Sequence, residues 1–330
     1  MLIIKLVIIL LVLVIAIYFL VFSIANKVMR PLSKISQELH NFSIEFLDHN
    51  LKTNNETVAL RESLVRLQER YKKEQQNKAE TSRIRGKFLE DLALASEIQQ
   101  SIIPPTGNYT LPDSGISIYS VFRPMQFISG DLYDFFMIDN HQLLIAIGDV
   151  SGRGIPAALF MGVAHTYIRN FSSEKKANDI VNKVNKELCI NNSNQFFLTL
   201  FLGILDIKKG ILNYCNAGHA PTFWLSATGK VKELGDQHGL PPGLYPDRNY
   251  QDTTISISKG DTLILYTDGI TEHINESGEF YGVNNFYKLF DQMKGMSPED
   301  ISGLIMNDVD NFGGQVSQHD DLSLMVLKYE

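Results

Sequence analysis

Apolar residues fill one unbroken run near the start of the chain and later recur at helix and strand spacing. Residues 6–25, LVIILLVLVIAIYFLVFSIA, carry no charge. About 20 residues at 1.5 Å rise span a hydrocarbon core of roughly 30 Å, so the run predicts a transmembrane helix. A cleaved signal peptide is the alternative, but its apolar region should be about 7 to 15 residues long and end at a small-x-small site, which is poorly met here. Lys27, Arg30 and Lys34 follow the run and Lys5 precedes it. By a small margin that bias predicts a single-pass protein of the inner or plasma membrane with its carboxyl side in the cytoplasm.

Beyond the run, Leu32, Ile35 and Leu39 keep helical spacing, and a polar connector passes through Asp48, His49 and Asn50. A second helix is predicted from near Glu56. Leu60, Leu64, Leu67 and Tyr71 then repeat at intervals of 4, 3 and 4, the seam of a coiled coil, with Arg, Glu and Lys outside it. A seam this exposed needs a partner and implies a parallel homodimer; a charged helical spacer is the plainer alternative.

From about Phe88 the pattern changes. Leu92, Ala95, Ile98, Gln99 and Ile102 keep helical spacing until Pro104 and Pro105 stop the helix. Strand-like runs follow at 116–122, 132–138 and 143–147, the last two joined by a tight turn at Asp139 and Asn140. Residues 154–170 predict a helix with Pro156 in its first turn and Ile155, Leu159, Val163 and Tyr167 on one stripe. Further strands are expected at 197–207, 211–216, 223–226, 262–266 and 322–327, with helices near 283–293 and 298–312. Short links favour antiparallel pairing, and strands in runs with grouped helices indicate an α+β fold. The expected organisation is an anchor over 1–26, a helical linker over 27–88 and an α+β domain over 89–330.

With 330 residues, 44% of them hydrophobic, the chain can build a sizeable core. Its net charge of −7 argues against nucleic acid as a partner. Cys189 and Cys215 lack CxxC spacing, so neither a disulfide framework nor a zinc site is suggested.

Acids carry the chemistry. Asp131 lies in SGDLYD, Asp149 in GDVSGRG, Asp268 in YTDGITE, and Asp320 beside Asp321 in QHDDLSL. Three of these motifs follow or interrupt apolar runs, where an unpaired buried anion costs several kcal/mol. A bound cation removes that cost, and oxygen ligands without a His or Cys cluster favour Mg²⁺ or Mn²⁺ over zinc. Two such ions on shared carboxylates would activate a water and neutralise a phosphate in line with it. No GxGxxG or GxxxxGK[ST] spacing is present, so glycine alone supports no phosphate-cradling loop.

Two resemblances sharpen these expectations. Arg30-Pro31-Leu32 and the stretch from Asn55 to Leu60 resemble the signature points of HAMP signalling modules. Over about residues 89–328 the aspartate motifs, Glu97-Ile98-Gln99-Gln100 through Pro104, GDVSGRGIPAAL, the hexapeptide Asn216 to Pro221, and Gly260-Asp261 ahead of YTDGITE resemble the SpoIIE and RsbU branch of the PPM-type (protein phosphatase 2C-like) phosphatases. That resemblance implies a four-layer α-β-β-α sandwich of two antiparallel sheets flanked by helices. It also implies hydrolysis of phosphoserine or phosphothreonine on a signalling protein, such as a STAS-domain anti-sigma-factor antagonist.

By the same resemblance Asp149 and the Val150 carbonyl would bind metal, with Asp149 bridging two ions. Asp131 would serve the second ion directly or through water, Asp268 and Asp320 would complete the first site, and Asp321 is a further candidate. Arg153 stands where His or Lys is common in that family, and Ser129 replaces the first Gly of its GGD. His219 is expected to brace the Gly218 turn, and Arg123 is a candidate phosphate contact or a surface ion pair. Two other function classes fit parts of the sequence. A HAMP-linked nucleotide cyclase is one, because SGDLYD superficially matches GGDEF, although it leaves the other aspartates without a role. The other is a non-catalytic phosphoprotein-binding module.

Overall fold

The computed structural model describes residues 55–111 and 114–330. The predicted membrane span and the Arg30-Pro31-Leu32 signature lie outside the described residues. Among the described residues no helix is long and apolar enough to cross a membrane. The chain divides into two units, Met1–Gly86 and Lys87–Glu330.

Helix α1 (Asn55–Ile102) begins in the first unit. There Leu64, Leu67 and Tyr71 stand 42%, 68% and 64% exposed, so among the described residues the seam is left largely uncovered. Pairs such as Lys78 with Glu74 at 3.0 Å and Arg83 with Glu80 at 3.1 Å support the helix from its polar sides.

The second unit is two stacked antiparallel sheets. One has the order β1-β2-β11-β10-β7-β8, from β1 (Gly107–Leu111), β2 (Ile116–Arg123), β7 (Thr222–Leu225), β8 (Val231–Leu234), β10 (Thr262–Tyr266) and β11 (Leu322–Tyr329). The other has the order β3-β4-β5-β6-β9, from β3 (Leu132–Met137), β4 (Gln142–Val150), β5 (Leu198–Asp206), β6 (Ile211–Ala217) and β9 (Thr253–Ser256). Helices α2 (Ile155–Phe171) and α3 (Ala177–Cys189) cover the second sheet. The four-residue α4 (Asp268–Thr271) leads on to α5 (Val283–Met293) and α6 (Pro298–Gly313), which cover the first. This is the α-β-β-α layering expected of the catalytic domain.

The apolar runs are continuous because their strands are buried on both faces. Along β4, Leu143, Ile145 and Ile147 point into the core between the sheets, where they meet Phe201, Leu263, Leu265 and Met325; Leu144 and Ala146 point the other way, onto α2 and α3. Between β3 and β4, Asp139 Oδ1 accepts the amides of His141 at 2.9 Å and Gln142 at 3.0 Å, which closes the predicted turn.

Helix α2 departs from the expected stripe. Ile155, Leu159 and Val163 are 43%, 68% and 47% exposed, and Ala157, Met161, Ala164 and Ile168 face the sheet instead. Helix α3 and strands β1, β8 and β9 are additions to the predicted elements.

Candidate metal-dependent active site

Strand register gathers the acids at one end of the sandwich. Gly148 pairs with Leu132, so Asp149, next to last in β4, lies where the chain enters β3 just after Asp131. In the other sheet Tyr266 pairs with Leu324, so Asp268, just beyond β10, and Asp320 and Asp321, just before β11, also share an end. One side chain joins the two sets. Asp131, only 1% exposed, accepts bonds on Oδ2 from Thr267 Oγ1 and Ser323 Oγ, each at 2.7 Å. Ser323 lies in β11 and Thr267 just beyond β10, strands of the sheet opposite the one Asp131 leads into.

Two glycines allow the loops to close on one another. A Cβ at Gly130 would stand 3.1 Å from the Val150 carbonyl oxygen and 3.4 Å from Asp149 Oδ1. At Gly269 it would lie 1.9 Å from the Asp321 carbonyl oxygen and 3.4 Å from Asp320 Cβ. Gly269 leaves no room for a side chain because the backbone of the facing loop fills that space, and Gly130 sits in a tight contact that a side chain would crowd.

Neighbouring groups hold the Asp131 loop on two sides. From α1, Gln99 Nε2 donates to the Ser129 carbonyl at 2.8 Å, and Gln99 Oε1 accepts the Ser129 amide at 2.9 Å. Ser129 Oγ in turn accepts the Asp131 amide at 3.0 Å. From the other side, Asp321 accepts the amides of Met125 at 2.7 Å and Gly130 at 3.0 Å, one on each carboxylate oxygen. Asp321 therefore braces the loop in this arrangement. Gln99 is the residue sequence reasoning missed: it stands in a quoted motif as the one polar side chain on the stripe of Leu92, Ala95, Ile98 and Ile102, and it is buried where Ile98 and Ile102 stand exposed.

The acids repel one another. Burial, together with the charges of Asp268 and Asp320, pushes Asp149 up to about 7. Burial and the charge of Asp149 hold Asp131 well above the usual carboxylate range, against the opposing effect of its hydroxyl donors. Burial, Glu272 and Asp320 raise Asp268 in the same direction. Burial leads each shift and the neighbouring carboxylates add to it, so each acid favours its neutral form unless a positive charge is brought near. The cation nearest at hand is Arg153, whose Nη2 lies 2.8 Å from Asp320 Oδ2.

The remaining candidates fall into supporting roles. The His219 ring is buried, with Nδ1 2.9 Å from Thr199 Oγ1 and Nε2 3.1 Å from the Tyr266 carbonyl. A carbonyl only accepts, so Nε2 carries a proton. Burial lowers its pKa to about 4. Arg123 forks onto Asp310 at 2.7 and 3.0 Å and is a surface ion pair in this arrangement. Asp134, the second acid of SGDLYD, is fully buried and forked by Arg169 at 2.7 and 2.8 Å, away from the site.

A hard divalent cation suits this donor set. The donors are oxygens, they come from both sheets, and three of the acids resist ionisation without a counter-charge. Asp131, Asp149, the Val150 carbonyl, Asp268 and Asp320 are the groups that would hold such ions. Among the described residues no three His, Cys, Asp or Glu side chains are gathered around one point as a finished ligand shell. Asp320 is engaged by Arg153, and Asp131 by Thr267 and Ser323.

Comparison with known proteins agrees with this architecture. The profile of the family described as Stage II sporulation protein E (SpoIIE) matches residues 139–330. Protein IcfG of Synechocystis is 34% identical over 221 residues, 58% of this chain and 34% of IcfG. Phosphoserine phosphatase RsbU of Bacillus subtilis is 26% identical over 246 residues, 74% of this chain and 72% of RsbU. The chain thus spans about a third of IcfG but most of RsbU. Among solved structures, the SiaA-PP2C domain of Pseudomonas aeruginosa superposes with a TM-score of 0.65 at 20% identity, over 74% of this chain and 98% of that domain. With two stacked sheets, flanking helices and a profile match over more than half its length, the chain belongs to the SpoIIE family and carries a SpoIIE-type PP2C domain.

Proposed function

We propose that this protein is a serine/threonine phosphatase that uses two divalent cations, Mn²⁺ or Mg²⁺, to hydrolyse phosphoserine or phosphothreonine on another protein. The observation that carries this reading is the convergence of Asp131, Asp149, Asp268 and Asp320 from two sheets onto one end of the fold. Uncatalysed hydrolysis of phosphate monoesters calls for acceleration of up to about 10²¹-fold, whereas a lone acid or base supplies about 10² to 10⁴. When bound, the two ions would supply Lewis acidity and a water that ionises near neutral pH. The protein's part is to fix the donors. Asp149 feels the charges of Asp268, Asp320 and Asp321, Asp131 is oriented by Thr267 and Ser323, and the Gly130 and Gly269 loops pack closely against their neighbours.

The substrate we infer is a phosphorylated signalling protein of the STAS-domain, anti-sigma-factor-antagonist type, a reading that rests on the resemblance of the aspartate motifs to the SpoIIE and RsbU branch. The sequence pattern further supports a single-pass membrane protein with a cytoplasmic catalytic domain, paired as a homodimer through HAMP-like linker helices. In this reading the end of α1 controls the Asp131 loop through Gln99, and so the occupancy of the second ion site.

The test is release of inorganic phosphate from phosphoserine and phosphothreonine peptides by the whole chain, with and without Mn²⁺. Asp149→Asn should abolish Mn²⁺-dependent release. Full activity in that variant would refute the assignment.

A further inference from the structure

One basic side chain sits among the acids, and its placement has a chemical consequence. Arg153 lies between Gly152 (φ 89°) and Gly154 (φ 71°), on the loop that joins β4 to α2. Its Nη2 donates to Asp320 Oδ2 at 2.8 Å across 167 residues of sequence. The other oxygen, Asp320 Oδ1, accepts the Asp321 amide at 2.9 Å, and Gln318 Nε2 donates to the Asp320 carbonyl at 2.7 Å. Asp320 is thus held in place by its own segment, and Arg153 occupies the carboxylate oxygen still open to another partner. The arginine side chain is 60% exposed and the aspartate 34%, so the pair can open without unpacking the core.

We propose that Arg153 is an internal counter-cation that competes with a divalent ion for Asp320, so that loading the site requires Arg153 to let go. The inference rests on the phosphatase reading of the same carboxylates and adds a positioning role for a residue outside the ligand set. Because the arginine is largely exposed and the aspartate about a third exposed, the strength of the pair is modest. It tunes the ion affinity and does not block the site, and flanking glycines give the loop the backbone freedom to move the guanidinium aside.

Mn²⁺ binding to the whole chain, followed by the electron paramagnetic resonance signal of the free ion, tests this without reference to turnover. Arg153→Gln should bind Mn²⁺ about three- to fivefold more tightly than wild type, the gain expected from removing an exposed ion pair. That gain should shrink in high salt, which already screens the pair. Arg153→Lys, which keeps a charge within reach of Asp320, should stay near wild type. Arg123→Gln removes a positive charge paired with Asp310 and should change the affinity less than twofold. Equal gains in Arg123→Gln and Arg153→Gln would reduce the effect to bulk charge and overturn the proposal, as would unchanged affinity in Arg153→Gln. Asp149→Asn separates the two levels. If it binds Mn²⁺ as wild type does, the ion-site reading itself fails; if it loses binding while Arg153→Gln shows no gain, only the competition fails.

Discussion

Thr267 donates its hydroxyl to Asp131 Oδ2 at 2.7 Å, although the two residues follow and precede strands of different sheets. The same hydroxyl accepts the Ser323 amide at 3.0 Å. Thr267→Val keeps the shape but leaves a buried acid short of a donor and a buried amide without its acceptor. The expected cost is about 1–3 kcal/mol, read as a lower urea midpoint with unchanged slope. An unchanged midpoint would mean that the hydroxyl contributes nothing to joining the sheets.

Gln99 is the contact through which α1 holds the Ser129 segment. Gln99→Ala should leave the domain folded, because other residues of the helix still pack. The loop carrying Asp131 loses its outer support, and phosphate release should fall by about 10- to 100-fold, the scale expected for a misplaced catalytic group. Comparison of circular dichroism with turnover checks this. Normal turnover in a folded Gln99→Ala protein would remove the helix from the control of the site.

At Gly269 an added methyl would overlap the Asp321 carbonyl oxygen at 1.9 Å. Gly269→Ala should therefore destabilise by more than about 3 kcal/mol. Gly303, inside α6, has nothing within 4 Å of its missing Cβ, and Gly303→Ala should be neutral or stabilising by about 0.5–1 kcal/mol. Thermal melts of the two variants should move in opposite directions or differ by many degrees.

His219 predicts a pH dependence with a definite sign. Its folded pKa of about 4 lies below the ordinary value of 6.5. Between those values the unfolded chain binds a proton that the native ring refuses, so stability falls as pH falls from 6.5 towards 4, by up to about 3 kcal/mol, and is flat in this respect above 7. Urea unfolding of wild type and His219→Gln from pH 7.5 to 4.5 should show a shallower decline in the variant. Parallel declines would contradict the neutral, braced ring.

Where burial is two-sided, the sequence was easy to read: β4, β5, β10 and β11 are apolar runs because both faces are covered, and Pro156 and Pro298 mark their helices by fixing the first turn. The short strands β8 and β9 carry Lys232, Glu233, Thr253 and Thr254 on half-solvated sheet edges and offer no such run. Helix α3 was legible in principle, since Ile180, Val181, Val184 and Leu188 share one buried face at helical spacing.

At the site, the aspartates announced themselves through adjacent glycines and strand ends. Their partners did not. Thr267 and Ser323 reach Asp131 across 136 and 192 residues, and Arg153 reaches Asp320 across 167. A hydroxyl or guanidinium that far away in sequence carries no local sign of the acid it will meet.

Because the carboxylates hang from both sheets, an ion seated among them would fasten one layer to the other like a rivet. Resistance to unfolding then becomes a function of divalent ion activity, gaining about 2.7 kcal/mol when free ion stands a hundredfold above its dissociation constant. Chelators should lower the melting temperature of the wild-type chain and leave that of Asp149→Asn nearly where it was.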